Sequence, residues 1–437
     1  MTGNNHNEDI KEGIISEPLV PPQMIKVGNS FHLTYPQLGL RLRFCRLYDQ
    51  KNGLTAEVIV EGNDKEDNPI IYDSSRYTLT ALASRNNLAK HLLNRLEMVE
   101  TDWEGFVLQA FTMVVNAYRI GEPIISIQPT QFLQPLEYLV YPILPKNMPT
   151  TLVGEGGAGK SKLAVLLCTL LTSAYKDSED TLGLKIPKEP QVCLYLDWES
   201  DQEEISDTFS KFKNGLGIDE DIHLHYRRCW QPLADDMDEI QKVVAEIKPS
   251  LVVIDSIAAA VQSDMVDAGV ATKLISRDLR QLKCTALILA HFSKQDKDKS
   301  TPFGSVFYFN YSRAVWSLQK SKESEKDRMQ IGLYCKKFNR SFLHKPLSFE
   351  FTYFPDGIVV HRKSLADSPS LASTLPMQDR IKNMLSRKPQ TSLELANQFK
   401  LSEPTIKKIL SDHSDMFMML GDNKWGVKSN MPSEVYR

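Results

Sequence analysis

Alternating hydrophobic and polar positions mark the first compact part of the chain. Three stretches alternate as half-buried strands do, and two longer ones carry apolar residues at helical spacing. The predicted strands are Leu40–Leu47, Leu54–Glu61 and Ile70–Thr80, and the predicted helices are Leu82–Met98 and Trp103–Tyr118. Lys51-Asn52-Gly53, between the first two strands, is a hairpin turn signal. The pattern predicts an N-terminal α+β accessory domain over residues 25–123, after a disordered polar tail over residues 1–24.

Short apolar runs without alternation follow a proline-rich connector that begins at Ile124. Such runs, separated by helices, are typical of buried parallel strands in a sheet covered on both faces. The runs are Thr151–Val153, Val192–Leu196, Ile222–Tyr226, Leu251–Ile254 and Ala286–Ala290. Three later segments are expected to be antiparallel additions at one sheet edge: Ala314–Leu318, Gln330–Lys336 and Leu347–His361. The pattern predicts an α/β domain with a mostly parallel, twisted sheet over residues 124–363.

In the last part of the chain, the spacing of apolar residues changes again. A linker rich in Ser, Ala and Pro spans residues 364–376, and a smaller unit is predicted over residues 377–437. Its helices are predicted at Gln378–Arg387, at Ser392–Phe399 with Ser392 as N-cap, and after Ser402, which caps the third. A hairpin follows. Three helices and a hairpin resemble a winged helix, with Leu393–Ile409 similar to its helix-turn-helix.

Composition and charge exclude some classes of protein. The 437 residues are 42% hydrophobic and 24% charged, which excludes a mostly disordered or fibrous chain. The formal net charge of −3 excludes a strongly basic, histone-like nucleic-acid binder, although charge can be segregated locally. The 6 cysteines are scattered without zinc spacing. No signal peptide and no apolar run near the roughly 20 residues of a membrane helix is visible, so a cytoplasmic protein is expected.

A phosphate-binding pattern lies between a short apolar strand and an apolar helix. The residues from Gly154 to Ser161 fit G-x-x-x-x-G-K-[ST], in which glycines let successive backbone N–H groups point at phosphate oxygens. Lys160 is expected to contact the β- and γ-phosphates of ATP, and the Ser161 hydroxyl to bind Mg²⁺. The candidate binding residues are Gly154, Gly156, Gly157, Ala158, Gly159, Lys160, Ser161 and Lys162.

Polar residues end three further predicted strands. Asp255 follows four apolar residues and could reach the Mg²⁺ beside the P-loop, although an Asp here could also cap the next helix. Asp197 and Glu199 follow another strand, and either acid could deprotonate an attacking water. His291 ends a fourth strand, where it could contact the γ-phosphate, although a lone His is more often structural.

The order of these strand ends resembles the RecA-fold ATPases, most closely the RepA-like, DnaB-related ring helicases of plasmids and phages. The similarity also covers Phe303-Gly304-Ser305, Arg313-Ala314-Val315-Trp316 and Lys336-Lys337-Phe338-Asn339-Arg340. It implies a ring, expected to be a hexamer, with ATP at the subunit interfaces. By position, the resemblance makes Glu199 the water-activating base, Asp255 the Walker B acid and His291 a sensor.

The resemblance also implies cationic fingers supplied by a neighbouring subunit. Arg313 and Arg340, together with Lys337, are the candidates, and the sequence does not choose between the two arginines. A surface or intradomain salt bridge is the alternative role for Arg313. The spacing of the Lys-Phe-Asn-Arg segment is one residue longer than the pattern usual in the family.

Two regions are candidates for binding DNA. The loop after His291 carries Lys294, Lys297 and Lys299, and such a loop would line the channel of a ring and contact single-stranded DNA; a plain solvated loop is the alternative. In the C-terminal unit, Lys407 and Lys408 on the third helix and Lys424 on the hairpin are the candidates for duplex contacts. Winged helices also dock proteins, so that alternative stays open.

The expected function is that of an ATP-hydrolysing, ring-forming DNA motor of RepA-like helicase type, acting in replication or DNA processing of a mobile element. The N-terminal domain carries no readable motif and could bind a protein partner. Two alternatives remain: an oligomeric ATP-dependent switch or scaffold that recruits partners without unwinding, and a recombinase-like filament.

Overall fold

A computed structural model describes most of the chain. The described residues are 20–50, 53–63, 68–96, 101–120, 124–129, 135–173, 182–261, Leu279, 282–292, 309–310, 312–340 and 342–428. They divide into two compact units: residues 1–133 with 233–246, and residues 134–232 with 247–437.

The first unit contains a five-stranded antiparallel sheet in the order β1 to β5. Its strands are β1 (Gln23–Val27), β2 (Ser30–Tyr35), β3 (Leu40–Gln50), β4 (Gly53–Asn63) and β5 (Pro69–Thr78). Two helices follow, α1 (Leu82–Arg95) and α2 (Trp103–Arg119). Alternate residues of β4 are buried, and they share one core with the apolar faces of α1 and α2. The three strands and two helices predicted here are confirmed, whereas β1 and β2 were not predicted.

The second unit is built around a nine-stranded sheet. The chain enters it through a small hairpin, β6 (Tyr138–Val140) and β7 (Leu144–Pro145). The elements of this unit that follow are β8 (Pro149–Gly154), α3 (Lys160–Thr172), β9 (Cys193–Asp197), α4 (Gln202–Gly215), β10 (His225–Arg228), β11 (Leu251–Asp255), α6 (Ile257–Ala260) and β12 (Thr285–Ala290). Between β10 and β11 the chain forms α5 (Leu233–Ile247), which is assigned to the first unit. The sheet is completed by β13 (Ala314–Lys320), β14 (Arg328–Phe338), β15 (Leu347–Tyr353) and β16 (Ile358–Arg362).

The strand order is β10-β9-β11-β12-β8-β13-β14-β15-β16. Neighbours from β10 to β13 are parallel, and β14 to β16 add antiparallel strands. This large, mostly parallel sheet is consistent with a RecA-like core. One prediction is wrong: Ala314–Leu318 was expected to be antiparallel, but β13 pairs in parallel with β8. Both neighbours of β13 are strands of the sheet, so it lies in the interior, where its first five residues are all buried.

Helix α5 lies between β10 and β11 in the chain but belongs to the first unit. Its Asp238 carboxylate accepts hydrogen bonds from the backbone N–H of Asn29, at 2.8 Å, and from the Ser30 hydroxyl. These bonds attach α5 to the turn between β1 and β2.

The segment predicted to be a linker has structure of its own. A 3₁₀ turn (Leu365–Asp367) and the short helix α7 (Pro369–Ala372) place Leu365, Leu371 and Leu375 against Tyr334 in a small buried cluster. We call residues 364–376 the connector.

Three helices and a three-stranded antiparallel sheet follow the connector. They are α8 (Met377–Leu385), β17 (Gln390–Thr391), α9 (Ser392–Phe399), α10 (Glu403–Asp412), β18 (Phe417–Met419) and β19 (Lys424–Val427). The three predicted helices and the hairpin are confirmed as elements. The predicted N-cap of α9 is wrong by one residue: Thr391 caps it through a capping box with Glu394, and the Ser392 hydroxyl instead donates to Glu403 at 2.7 Å. We call residues 377–428 the C-terminal module.

Candidate functional site

The phosphate-binding loop joins the end of β8 to the start of α3. Its candidate residues, from Gly154 to Lys162, lie at the last position of β8, in this loop or in the first turn of α3. Gly157 and Gly159 adopt positive φ angles of 68° and 102°, which glycine tolerates best. A Cβ added to Gly159 would come within 2.9 Å of Met329 Cε. Met329 Cε is the end of a flexible side chain and could move aside, so the loop needs glycine at 159 chiefly for its backbone conformation.

Lys160 is buried at the start of α3, and its ammonium group faces the loop. Its Nζ donates to the carbonyls of Gly154, at 3.1 Å, and Glu155, at 3.0 Å, and lies 3.5 Å from His291 Nδ1. Burial lowers the pKa of Lys160, although the nearby carboxylates of Asp255 and Glu199 oppose that shift. The lysine is thus held where it could contact phosphate oxygens.

A carboxylate and a hydroxyl form a corner beside the loop that fits a hard divalent cation. Asp255 is buried at the end of β11, where it accepts hydrogen bonds from Tyr195 Oη, at 2.6 Å, and from the Ser161 side chain. Burial raises the pKa of Asp255, and the two hydrogen bonds oppose the rise. Mg²⁺ at phosphate sites takes only one or two protein oxygens besides phosphates and water. Among the described residues, no group of three or more His, Cys, Asp or Glu side chains is placed to hold a metal ion.

Glu199 lies near Lys160, and part of its side chain is open to solvent. It accepts a hydrogen bond from the Ser256 hydroxyl, and its Oε1 lies 3.7 Å from His291 Nε2. The His291 side chain is the largest cause that lowers the pKa of Glu199; burial opposes the shift, and Ser256 and Lys160 support it. With 41% of its side chain exposed, Glu199 remains reachable by water. An ionised, accessible carboxylate of this kind can accept a proton.

Asp197 occupies a different position from Glu199, although both follow β9. Its carboxylate is fully buried and accepts from the backbone N–H groups of Glu199 and Ser200, both at 2.9 Å. It also accepts from Tyr226 Oη at 3.0 Å and pairs with Arg228 at 3.4 Å. The two backbone bonds hold the loop that carries Glu199, and the contacts with Tyr226 and Arg228 hold the carboxylate against β10. The geometry makes Asp197 an anchor and leaves Glu199 as the acid that faces the phosphate site.

The finger candidates lie at the opposite end of the sheet from the P-loop. The backbone N–H of Arg313 bonds Pro149 O at 3.1 Å, at the start of β8, and Arg340 follows Asn339, whose N–H bonds Arg313 O. The start and the end of β8 are roughly 16 Å apart at about 3.3 Å per residue. Lys337 Nζ donates hydrogen bonds to the backbone carbonyls of Phe309 and Asn310. None of the three cations is therefore brought to the P-loop of its own chain.

The candidate DNA contacts are placed only in part. Lys294, Lys297 and Lys299 lie outside the described residues. In the C-terminal module, Lys407 and Lys408 are on α10 and Lys424 begins β19. Lys407 Nζ forms an ion pair with Glu403 at 2.8 Å, whereas Lys408 is exposed.

Several residues that shape the site were not predicted. Tyr195 and Tyr226 lie on β9 and β10, where their hydroxyls bond the carboxylates of Asp255 and Asp197. Ser256 follows Asp255 directly and bonds Glu199. From sequence, a tyrosine in a buried strand is expected to be a core residue. The acid that its hydroxyl bonds could be identified only from the pairing of β9 with β10 and β11.

Comparison with known protein families matches part of the chain. A family model described as an AAA domain matches residues 127–297, a segment that contains the P-loop, Glu199, Asp255 and His291. A solved KaiC-like protein from the hyperthermophilic archaeon Pyrococcus horikoshii OT3 is similar at 17% identity and a TM-score of 0.36, over 52% of this chain and 100% of that chain. No protein of curated function matches the sequence.

Within the part of the chain that the structure describes, no helix is long and apolar enough to cross a membrane. Five of the six cysteines are buried, and among the described residues none forms a disulfide. The geometry of the P-loop and the AAA-domain match together support a P-loop ATPase with a large, mostly parallel α/β sheet.

Proposed function

We propose that this protein is an ATP-hydrolysing, ring-forming motor that acts on DNA, of the RepA-like helicase type. The P-loop would hold the phosphates of ATP, with Lys160 on the β- and γ-phosphates and Lys162 in the first turn of α3. Ser161 and Asp255 would hold Mg²⁺, which when bound offsets charge on the phosphate oxygens.

Glu199 would act as the base in hydrolysis. Its carboxylate would accept a proton from a water that attacks the γ-phosphorus, while the bond from that phosphorus to the β,γ-bridging oxygen breaks and ADP leaves with the electron pair. His291 lies within 3.7 Å of Glu199 and 3.5 Å of Lys160, so it could register the γ-phosphate between them. A neutral imidazole protonated on Nε2 satisfies both contacts, since Nδ1 then faces the lysine as an acceptor.

The observation that carries the ring proposal is the placement of the arginines. Arg313 and Arg340 are exposed at the end of β8 that is remote from the P-loop, so they cannot stabilise charge in their own site. An arginine supplied by a neighbour contributes about 10³–10⁵-fold to hydrolysis in other P-loop enzymes. A head-to-tail ring would bring the arginine end of one subunit to the P-loop end of the next. Assembly as a hexamer belongs to this proposal.

DNA binding is proposed on the C-terminal module. Its three helices and small sheet have the order of elements of a winged helix, and residues 367–437 carry 10 Lys and Arg against 8 Asp and Glu. Lys408 and Lys424 would contact backbone phosphates of duplex DNA, and Lys407 would do so once released from Glu403. The loop with Lys294, Lys297 and Lys299 would contact single-stranded DNA in the channel.

A forked duplex tests this function. The purified protein with ATP and Mg²⁺ is expected to displace one strand, and Lys160→Ala is expected to abolish both displacement and ATP hydrolysis. Hydrolysis by Lys160→Ala at the wild-type rate would contradict the assignment of the site. ATP hydrolysis that DNA does not stimulate, without strand displacement, would contradict the motor.

A second candidate is an ATP-dependent switch or scaffold that assembles without unwinding DNA. One observation favours it: the connector is docked beside the P-loop by hydrogen bonds to Glu323. Such contacts could pass nucleotide state to the C-terminal module without translocation. A single burst of hydrolysis per subunit, independent of DNA, is the result that the switch predicts.

A further inference from the structure

A cavity lies beside the P-loop, where β8 and β13 end. Its volume of about 360 Å³ lies within the range of about 300–1,000 Å³ found for small-molecule sites. The P-loop, β13 and the connector all contribute to its wall. Their lining residues include Glu155, Ala158, Gln319, Ser370, Ser373 and Thr374.

The sheet order places this cavity on the far side of β8 from most of the catalytic groups. Glu199 and Asp255 follow β9 and β11, on one side of β8, whereas β13 lies on the other side. Of the lining residues, Phe292 comes from the β12 side. A nucleotide whose γ-phosphate faces Glu199 would therefore direct its sugar and base away from that carboxylate, towards β13 and the connector.

The walls of the cavity combine apolar surface, hydroxyl groups that can accept hydrogen bonds, and the side chains of Lys320 and Lys322. Leu318 and Leu371 contribute apolar atoms. The Ser373 hydroxyl donates to Ser370 O and the Thr374 hydroxyl donates to Leu371 O, both at 2.7 Å. Because their protons are engaged, the lone pairs of these hydroxyls remain available as acceptors. Flat rings with amino groups and sugars with hydroxyls suit such walls.

The connector is attached firmly enough to form a wall. The Glu323 carboxylate accepts from the hydroxyls of Ser321 and Ser368, both at 2.7 Å, and of Ser370 at 2.5 Å. On the apolar side, Tyr334 Oη donates to Leu371 O at 2.9 Å. These bonds position α7 against the core.

We propose that this cavity holds the sugar and base of the nucleotide whose phosphates occupy the P-loop, and that the connector forms one wall of that site. The proposal rests on the ATPase function proposed above. Helix α8 begins at Met377, directly after the connector. A nucleoside that contacts residues 370–374 therefore orders the segment on which the C-terminal module is mounted, which couples nucleotide occupancy to that module.

Amide hydrogen exchange of the wild-type protein tests the proposal without any substitution. MgATP and magnesium tripolyphosphate share the phosphate chain but differ in the nucleoside. Both are expected to protect the P-loop, and MgATP alone is expected to slow exchange in peptides that span residues 368–376. Equal protection of these peptides by both ligands, or by neither, would overturn the cavity assignment. Failure of both ligands to bind would instead contradict the ATPase function.

A filled cavity provides the second test. Ser373→Phe is expected to weaken MgATP binding by about tenfold or more, which corresponds to about 1.4 kcal/mol, and to leave tripolyphosphate binding unchanged. Ser386→Phe is the matched control, because Ser386 is also exposed and its hydroxyl also donates to a backbone carbonyl, but it is not a lining residue. A variant that still binds tripolyphosphate is folded. If Ser373→Phe no longer binds tripolyphosphate, Thr374→Phe is used in its place to fill the cavity. Unchanged MgATP affinity in the folded variant would refute the proposal.

Discussion

The different environments of Asp197 and Glu199 predict opposite outcomes for two single-atom substitutions. Glu199→Gln removes the proton acceptor but leaves the fold intact, since the Glu199 carboxylate is partly exposed. We expect kcat to fall by about 10²–10⁴-fold, the usual contribution of a general base, with ATP binding retained. Asp197→Asn removes the charge of the anchor and keeps one carbonyl oxygen. We expect kcat to change by less than about tenfold, because the loop that carries Glu199 keeps its two bonds to that oxygen.

The loss of stability in Asp197→Asn follows from its bonds. A hydrogen bond to a charged group contributes about 1.5–3 kcal/mol and a neutral one about 0.5–1.5 kcal/mol, so the two backbone bonds weaken by about 1 kcal/mol each. The Arg228 side chain is 28% exposed, and its ion pair with Asp197 adds at most about 1 kcal/mol after solvent screening. The free energy of unfolding should therefore fall by about 2–3 kcal/mol, which lowers Tm by roughly 3–5 °C for a unit of this size.

The assay combines thermal unfolding with single-turnover hydrolysis of bound ATP for both variants. Glu199→Gln should unfold within about 2 °C of the wild type, since its side chain is partly solvated. The reasoning is refuted if folded Asp197→Asn is inactive while Glu199→Gln retains more than a tenth of the wild-type rate. That result would make Asp197 the base.

Three further predictions concern the connector, the P-loop and the C-terminal module. Hydrogen bonds from the connector hydroxyls lower the pKa of Glu323 to about 2, so the Glu323 carboxylate contributes fully to docking of the connector above about pH 4.5 and loses this contribution as pH falls towards 2. The rate of proteolysis within the connector should rise over this pH range, and Glu323→Gln should remove the pH dependence. Gly157→Ala and Gly159→Ala should each lower the free energy of unfolding by about 1 kcal/mol or more in urea unfolding, because both glycines have a positive φ that a Cβ disfavours; no loss in either variant would count against this backbone requirement. Lys408→Ala should weaken duplex binding and reduce the salt slope by about 1, measured by fluorescence anisotropy in a salt series.

The strand ends of the ATPase site could be predicted from sequence because each strand is fully buried. Continuous apolar runs such as Leu251–Ile254 identify interior strands, and the polar residue that ends a run must lie at the carboxyl edge of a parallel sheet. The structure brings Lys160, Asp255, Glu199 and His291 together at that edge.

Other features could not be read from the pattern for physical reasons. Burial along β13 shows that the strand is interior but carries no information on its direction, which depends on the path of the chain after β12. The connector is polar in composition, yet three leucines spaced along it form a small core with Tyr334 from β14. The separation of Asp197 from Glu199 depends on lateral partners, Tyr226 and Arg228, that come from a different strand.

A subunit-mixing experiment tests most directly whether each ATP site is completed by a neighbouring subunit. Lys160→Ala lacks a working P-loop but keeps both arginines, and the double variant Arg313→Ala/Arg340→Ala has the reverse defect. Each should be inactive alone. Random assembly of an equal mixture pairs an intact P-loop with intact arginines at about one interface in four, so the mixture should recover up to about a quarter of the wild-type hydrolysis rate. A mixture no more active than its components, although the subunits co-assemble, would contradict the account.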